Sequence, residues 1–321
     1  MKYWYQKRFH IPREKVSKKC LHSINYKMFR KIEKLSEAID RNVKDALFED
    51  IGFGDRAEAV IPAKNVIAEV KCNTRQAVLS GQFWFDKCFQ FIDKSVSIEW
   101  LKKDGSKIQE GDKICSITGH NLSILAGERS ALNFLQVLSS TSTRTREYLN
   151  VLKDSGVQNC LIVDTRKTVP GLRLAQKYAV RLGGGTNQRF GLWDALLVKE
   201  NHLISLGGLK RLANLIEVID FKEQDRNLLQ IEVETMEEYE LAMSLGFKHI
   251  LLDNFSICEL AKAVENRVTG VTLEASGGIN LNNLLAYIRT GVDRISIGDL
   301  TKNIYSVDFS LRIVEYDNGK K

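Results

Sequence analysis

Leu161-Ile162-Val163-Asp164-Thr165-Arg166-Lys167 is a short apolar run that hands over at once to charged residues. The same pattern recurs downstream at Ala195-Leu196-Leu197-Val198, Leu229-Gln230-Ile231-Glu232-Val233, Ile250-Leu251-Leu252, Val271-Thr272-Leu273 and Arg294-Ile295-Ser296-Ile297. Short apolar strands separated by longer amphipathic stretches predict a parallel sheet covered by helices. The runs end in Lys199-Glu200-Asn201-His202, Glu232, Asp253-Asn254, Glu274-Ala275-Ser276-Gly277-Gly278 and Gly298-Asp299. In an α/β barrel such ends converge on one face, where active sites lie.

Upstream, the pattern differs. Met28, Ile32, Leu35, Ile39, Val43 and Leu47 recur at three- and four-residue steps, which predicts an amphipathic helix over about 27–48. Residues 60–120 read as strands with turns at Lys103-Asp104-Gly105 and Glu110-Gly111-Asp112, and a long helix follows over about 126–153. The expected organisation is a basic extension over 1–40, an N-terminal domain over 41–140 and a barrel over 141–303. Residues 304–316 are expected to return to the N-terminal domain.

The net charge of +7 is concentrated at one end. Residues 1–40 hold eleven basic and four acidic side chains, so the remainder is formally neutral. That segment reads as a solvated, partly helical extension rather than a nucleic-acid-binding surface, and nucleic acid is not an expected partner. It lacks the apolar centre of a signal peptide and the Ser-rich composition of a transit peptide. No run of eighteen apolar residues exists, so no membrane span is expected. Six scattered cysteines without C-x-x-C or His spacing read as reduced thiols, consistent with a cytoplasmic location, and no protein-ligated transition metal is expected.

Arg166, Lys167, Arg189 and Lys199 make the strand ends rich in cations, with Arg129 and Arg173 as further candidates. Clustered cations call for a strongly anionic ligand, and Arg offers a planar fork for carboxylate or phosphate. Ser276-Gly277-Gly278 and Gly298 follow late strands, where barrels often build a phosphate site from backbone N–H groups. Glu232 and Asp253 are carboxylates that could stabilise a developing positive charge or pair with the basic cluster. Gly183-Gly184-Gly185 lacks dinucleotide-binding spacing, and neither a Walker A motif nor a G-x-S-x-G elbow is present.

Asp164-Thr165-Arg166-Lys167-Thr168-Val169-Pro170-Gly171-Leu172-Arg173, continued by Lys177-Tyr178-Ala179-Val180 and the triple glycine, resembles the signature of the quinolinate phosphoribosyltransferases. Gly127-Glu128-Arg129-Ser130, Val198-Lys199-Glu200-Asn201-His202, Leu252-Asp253-Asn254-Phe255 and Glu274-Ala275-Ser276-Gly277-Gly278-Ile279 match as well. So does the turn Glu49-Asp50-Ile51-Gly52-Phe53-Gly54-Asp55. The resemblance covers about residues 40–314. It implies a type II phosphoribosyltransferase α/β barrel preceded by an N-terminal α/β sandwich domain. It also implies a homodimer or larger oligomer with shared active sites.

The implied reaction joins quinolinate to phosphoribosyl pyrophosphate in NAD biosynthesis, giving nicotinate mononucleotide, pyrophosphate and carbon dioxide. By the same resemblance, Arg166, Gln188, Arg189 and Lys199 line the quinolinate pocket, joined by Arg129 from a partner subunit. Lys167 meets the pyrophosphate donor. Ser276, Gly277, Gly278 and Gly298 hold the 5′-phosphate. Glu232 and Asp253 face the ribose and a substrate-bound magnesium ion, with Glu234 on the same strand face as an alternative to Glu232. Two positions depart from the family: Gln188 stands where a His is usual, and Gln230 where a Glu is usual. Gln188 leaves open a related enzyme for another pyridine or aromatic acid. A non-catalytic paralogue acting through the basic extension is the remaining alternative.

Overall fold

The computed structural model describes residues 31–218, 229–303 and 305–316. Most of the basic extension, including Cys20 and the helix start expected at Met28, lies outside the described residues. The first helix, α1, spans Leu35–Ile51. The backbone N–H of Lys34 donates to the Glu37 carboxylate at 3.0 Å, closing the first turn. This places the helix start well inside the expected span. Ala38, Ile39, Val43 and Leu47 turn inward along its buried stripe.

A four-stranded antiparallel sheet follows, built from β1 (Asn65–Cys72), β3 (Ser97–Trp100), β5 (Lys113–His120) and the last strand, Phe309–Tyr316, in the order last–β1–β5–β3. The last strand pairs antiparallel along β1, from Val66 opposite Tyr316 to Cys72 opposite Phe309. Two shorter strands, β2 (Gln76–Val78) and β4 (Lys107–Gln109), pair separately. Within the span that reads as strands, the structure contains a helix, α2 (Gln82–Ile92). Its aromatic run suggests a strand, but Trp84, Phe85, Cys88 and Phe89 bury one helical face. The long helix α3 runs Asn121–Asp154. Side chains of α1, α2, α3 and the sheet share one apolar core, the α/β sandwich that the sequence implied.

The remaining strands are parallel: β6 (Leu161–Val163), β7 (Leu196–Val198), β8 (Leu229–Val233), β9 (His249–Asp253), β10 (Thr272–Ser276) and β11 (Arg294–Ser296). Their order is β6-β11-β10-β9-β8-β7. From β7 onward each strand pairs with its successor, and the first pairs with the last. That is the order of a ring with one seam, between β6 and β7, rather than of a doubly wound open sheet. Ile231, Val233, Ile250, Leu252, Leu273, Ala275 and Ile295 are buried around it.

The chain groups into two units that do not follow its linear order. One comprises Leu152–Arg166 and Gln188–Ile297, the parallel strands. The other comprises Lys34–Val151, Lys167–Asn187 and the chain from Gly298. The second unit therefore takes in α4 (Arg173–Gly183) from the middle of the chain. The triple glycine that ends α4 answers to packing. A β-carbon on Gly183 would lie 2.6 Å from the Ser142 carbonyl oxygen, and one on Gly185 would lie 2.8 Å from Thr145 Cγ2.

Candidate active site

In the unit of parallel strands, the predicted residues stand at the C-terminal ends of neighbouring strands or just beyond. Arg166 follows β6, Lys199 follows β7, Glu232 lies near the end of β8, and Asp253 and Ser276 end β9 and β10. Asp253 and Ser276 are direct partners in the parallel register. Gln188 and Arg189 lie on the loop that leads into β7. Lys167 and Gly298 belong to the other unit, as does Arg129, which is exposed on α3.

Two of these residues meet directly. The Lys199 ammonium donates to Glu232 Oε2 in a short ion pair. Glu232 is 9% exposed and Lys199 44%, so the carboxylate is buried and the cation half in solvent. A buried carboxylate without such a partner would carry a large desolvation cost. Glu234, the expected alternative on the same strand face, instead lies just beyond the end of β8; it is exposed, and its backbone N–H donates to the Glu238 carboxylate at 2.8 Å. Its carboxyl is pushed up, first by desolvation and then by the negative charges of Glu200, Asp253, Glu238 and Glu232. The acidic side chains thus share one end of the strands.

The turn after β10 is tightly built. Asn254 has φ 59°, and its N–H donates to the Ser276 carbonyl at 2.9 Å. Gly277 has φ 104°, and a β-carbon there would come within 2.8 Å of the Asn254 main-chain nitrogen. The close approach of these two turns requires glycine. In the other unit, Asp299, the residue after Gly298, is firmly anchored. Tyr148 donates to it at 2.6 Å, Arg144 through Nη2 at 2.7 Å, and Asn303 reaches its second oxygen. Burial opposes ionisation of Asp299, but these donors outweigh it and hold the carboxyl below the usual aspartate range.

The two family departures converge on one group. Glu274 is 0% exposed, inside the ring on β10. Gln188 Nε2 donates to its Oε1 and Gln230 Nε2 to its Oε2, each at 2.9 Å. The expected Gln188 contact with substrate is therefore qualified: one of its amide hydrogens goes to Glu274. Burial pushes the Glu274 carboxyl up, while Gln230, the charge of Arg294 and Gln188 work the other way. The Gln188 backbone N–H donates to Asp164, also 0% exposed, at 2.9 Å. Glu274 and Asp164 were not among the predicted site residues. Glu274 opens the Glu-Ala-Ser-Gly-Gly motif, but only folding shows that it faces inward. Arg189 is 9% exposed and donates to the Ala195 carbonyl at 3.4 Å.

Among the described residues, no group of three or more His, Cys, Asp or Glu side chains could hold a metal ion alone. The carboxylates at the strand ends are hard oxygen donors, which fit a magnesium ion that keeps most of its ligands from phosphate and water. Among the described residues, no helix is long and apolar enough to cross a membrane.

Two family models match the chain. Residues 45–139 match the N-terminal domain of quinolinate phosphoribosyl transferase, and residues 141–312 match its C-terminal domain. The probable nicotinate-nucleotide pyrophosphorylase [carboxylating] of Bacillus subtilis is 35% identical over 83% of this chain and 90% of its own length. The nicotinate-nucleotide pyrophosphorylase [carboxylating] of Mycobacterium leprae is 30% identical over 86% of this chain and 97% of its own. The solved nicotinate-nucleotide pyrophosphorylase from Francisella tularensis superposes with a TM-score of 0.81 at 36% identity, covering 88% of this chain and 98% of that one.

Proposed function

The chain belongs to the quinolinate phosphoribosyltransferase family and is a pentosyltransferase of NAD biosynthesis; we propose how its own residues perform that reaction. Quinolinate and phosphoribosyl pyrophosphate give nicotinate mononucleotide, pyrophosphate and carbon dioxide. What supports the assignment most directly is the gathering of Arg166, Lys199, Glu232 and Asp253 at the C-terminal ends of one set of parallel strands. Cations there suit a dianionic acid, and carboxylates suit a ribose that turns cationic.

Arg166, Arg189 and Lys199 bind the two quinolinate carboxylates. Lys199 is held by Glu232 until the dianion offers it a second partner. Lys167 neutralises the departing pyrophosphate, and the Ser276-Gly277-Gly278 turn with Gly298 holds the 5′-phosphate through backbone N–H groups. A magnesium ion arriving with the donor, faced by Glu232 and Asp253, would supply further neutralisation of the leaving group. Departure of pyrophosphate leaves oxocarbenium character at the ribose carbon, which Glu232 and Asp253 stabilise. The pyridine nitrogen attacks that carbon with its lone pair and becomes cationic. The adjacent carboxylate then leaves as carbon dioxide, its bonding electrons drawn toward the ring nitrogen, and a proton takes its place. No covalent enzyme intermediate is needed, so positioning and electrostatics carry the rate.

The active form is a homodimer or larger oligomer, in which exposed Arg129 completes a partner's quinolinate pocket. The enzyme works in the cytoplasm, a reducing setting that suits its five described free thiols. Purified protein is mixed with phosphoribosyl pyrophosphate, magnesium and either quinolinate or nicotinate, and nucleotide and carbon dioxide are measured. Nucleotide with carbon dioxide from quinolinate is the expected result. Turnover of nicotinate alone would overturn the substrate assignment.

A further inference from the structure

We propose that Glu274 is a positioning residue for the acceptor side of the reaction: it grips Gln188 and Gln230 by one amide each, and this trio sets the affinity for the aromatic acid. The proposal rests on the pocket assigned above to Gln188 and Arg189.

Glu274 lies on β10 and Gln230 on β8, with β9 between them. Leu251 on β9 is in register with Glu274 on one side and Glu232 on the other. The three inward residues therefore form a row across three strands, and Gln230 reaches past Leu251 to Glu274. A carboxylate only accepts hydrogen bonds, so both glutamines must turn their NH₂ groups toward it. That removes the two-fold ambiguity of an amide and fixes which end of each Gln faces Glu274. Gln188 is thus held twice by carboxylates at 0% exposure, through its main chain by Asp164 and through its side chain by Glu274.

Arg189 is the next residue, so the place from which its guanidinium starts is set by that double anchorage. Neither Gln230 nor Glu274 needs to touch the substrate for this to matter. A bound geometry displaced by about 1 Å costs on the order of a hundredfold in rate at worst, and smaller shifts cost less.

The test compares three variants with the unmodified protein. Gln230→Glu sets two carboxylates against each other. Glu274→Ala removes the anchor. Gln230→Glu combined with Glu274→Gln moves the one carboxylate to β8 and keeps a continuous chain of donors. In that double variant Gln188 donates to the amide oxygen at position 274, and the amide nitrogen at position 274 donates to the carboxylate now at position 230. KM for quinolinate, KM for phosphoribosyl pyrophosphate, kcat and the thermal midpoint are measured for each.

Gln230→Glu and Glu274→Ala are expected to raise the quinolinate KM roughly tenfold or more, with the donor KM within about twofold. The exchanged pair is expected to recover to within about threefold, because each hydrogen bond again has a donor and an acceptor. An unmoved quinolinate KM overturns the proposal. So does a folded exchange variant without recovery, or a parallel worsening of both KM values with the thermal midpoint, which marks a structural role only. Failure of the unmodified protein to use quinolinate overturns the proposed function and this inference together. Normal use with unmoved variants overturns this inference alone.

Discussion

Gly277→Ala tests the phosphate turn at the position where the structure leaves least room. The backbone there has φ 104°, a left-handed conformation that costs an L-residue about 1–2 kcal/mol. The added methyl would also lie 2.8 Å from both Cγ and the main-chain nitrogen of Asn254. Asn254 has little freedom to withdraw, because its N–H is bonded to the Ser276 carbonyl and its own φ is 59°. Overpacking of this kind costs about 1–3 kcal/mol. Together the two penalties come to about 2–5 kcal/mol, equivalent to a drop of roughly 5–15 °C in the thermal midpoint. Where the turn gives way instead, its N–H groups leave the 5′-phosphate. Losing one hydrogen bond to a charged group, about 1.5–3 kcal/mol, raises the donor KM roughly 10- to 100-fold. Thermal unfolding and steady-state kinetics with varied phosphoribosyl pyrophosphate read both outcomes. Gly278→Asn is the stability control: its φ of 60° is one that Asn adopts, and nothing lies within 4 Å of its β-carbon, so the cost stays below about 1 kcal/mol. A Gly277→Ala protein with a midpoint within about 2 °C and an unchanged donor KM would overturn the phosphate role of this turn.

Arg129→Ala and Lys199→Ala are each expected to be nearly inactive, and mixing them under subunit exchange restores activity through hybrid dimers; no recovery with exchange confirmed argues against a shared site. A chain starting at Lys31 keeps its turnover number, whereas one starting after Asp40 loses stability, because Ala38 and Ile39 belong to the core and are 1% and 8% exposed. Gln188→His lowers the quinolinate KM more at pH 6 than at pH 8, since an imidazolium is favoured beside Glu274 and below its ordinary pKa near 6.5; equal KM values across that range count against it. Asp299 is held below the usual aspartate range, so its contribution to stability is full above about pH 4 and is lost as pH falls through its lowered pKa. Asp299→Asn should flatten that acid-side slope in thermal unfolding.

The parallel strands and their ends are legible in the amino-acid sequence, because apolar runs such as Leu161-Ile162-Val163 and Ile250-Leu251-Leu252 carry their own punctuation. It also determined the family, through motifs long and specific enough to need no geometry. It misjudged local structure where propensity and packing disagree. The aromatic run of α2 favours a strand in isolation, yet burying Trp84, Phe85, Cys88 and Phe89 on one face makes it a helix. The start of α1 falls about two turns later than the apolar spacing predicts, since that spacing continues upstream of the point where Lys34 and Glu37 close the helix.

Which polar residues meet is a property of the folded chain. Alternation along β8 puts Gln230 and Glu232 on one face, but nothing in the chain order says that Gln230 reaches Glu274 or that Lys199 finds Glu232. Those partners lie 44 and 33 residues apart in sequence. They are joined by the strand order and register of the ring, which are long-range properties of the fold. The same applies to Gln188. In sequence it is a glutamine where a histidine is usual. In the folded protein it is one arm of a buried carboxylate clamp, because desolvated Glu274 needs donors on both oxygens, and Gln230 on β8 and Gln188 on the loop before β7 supply them.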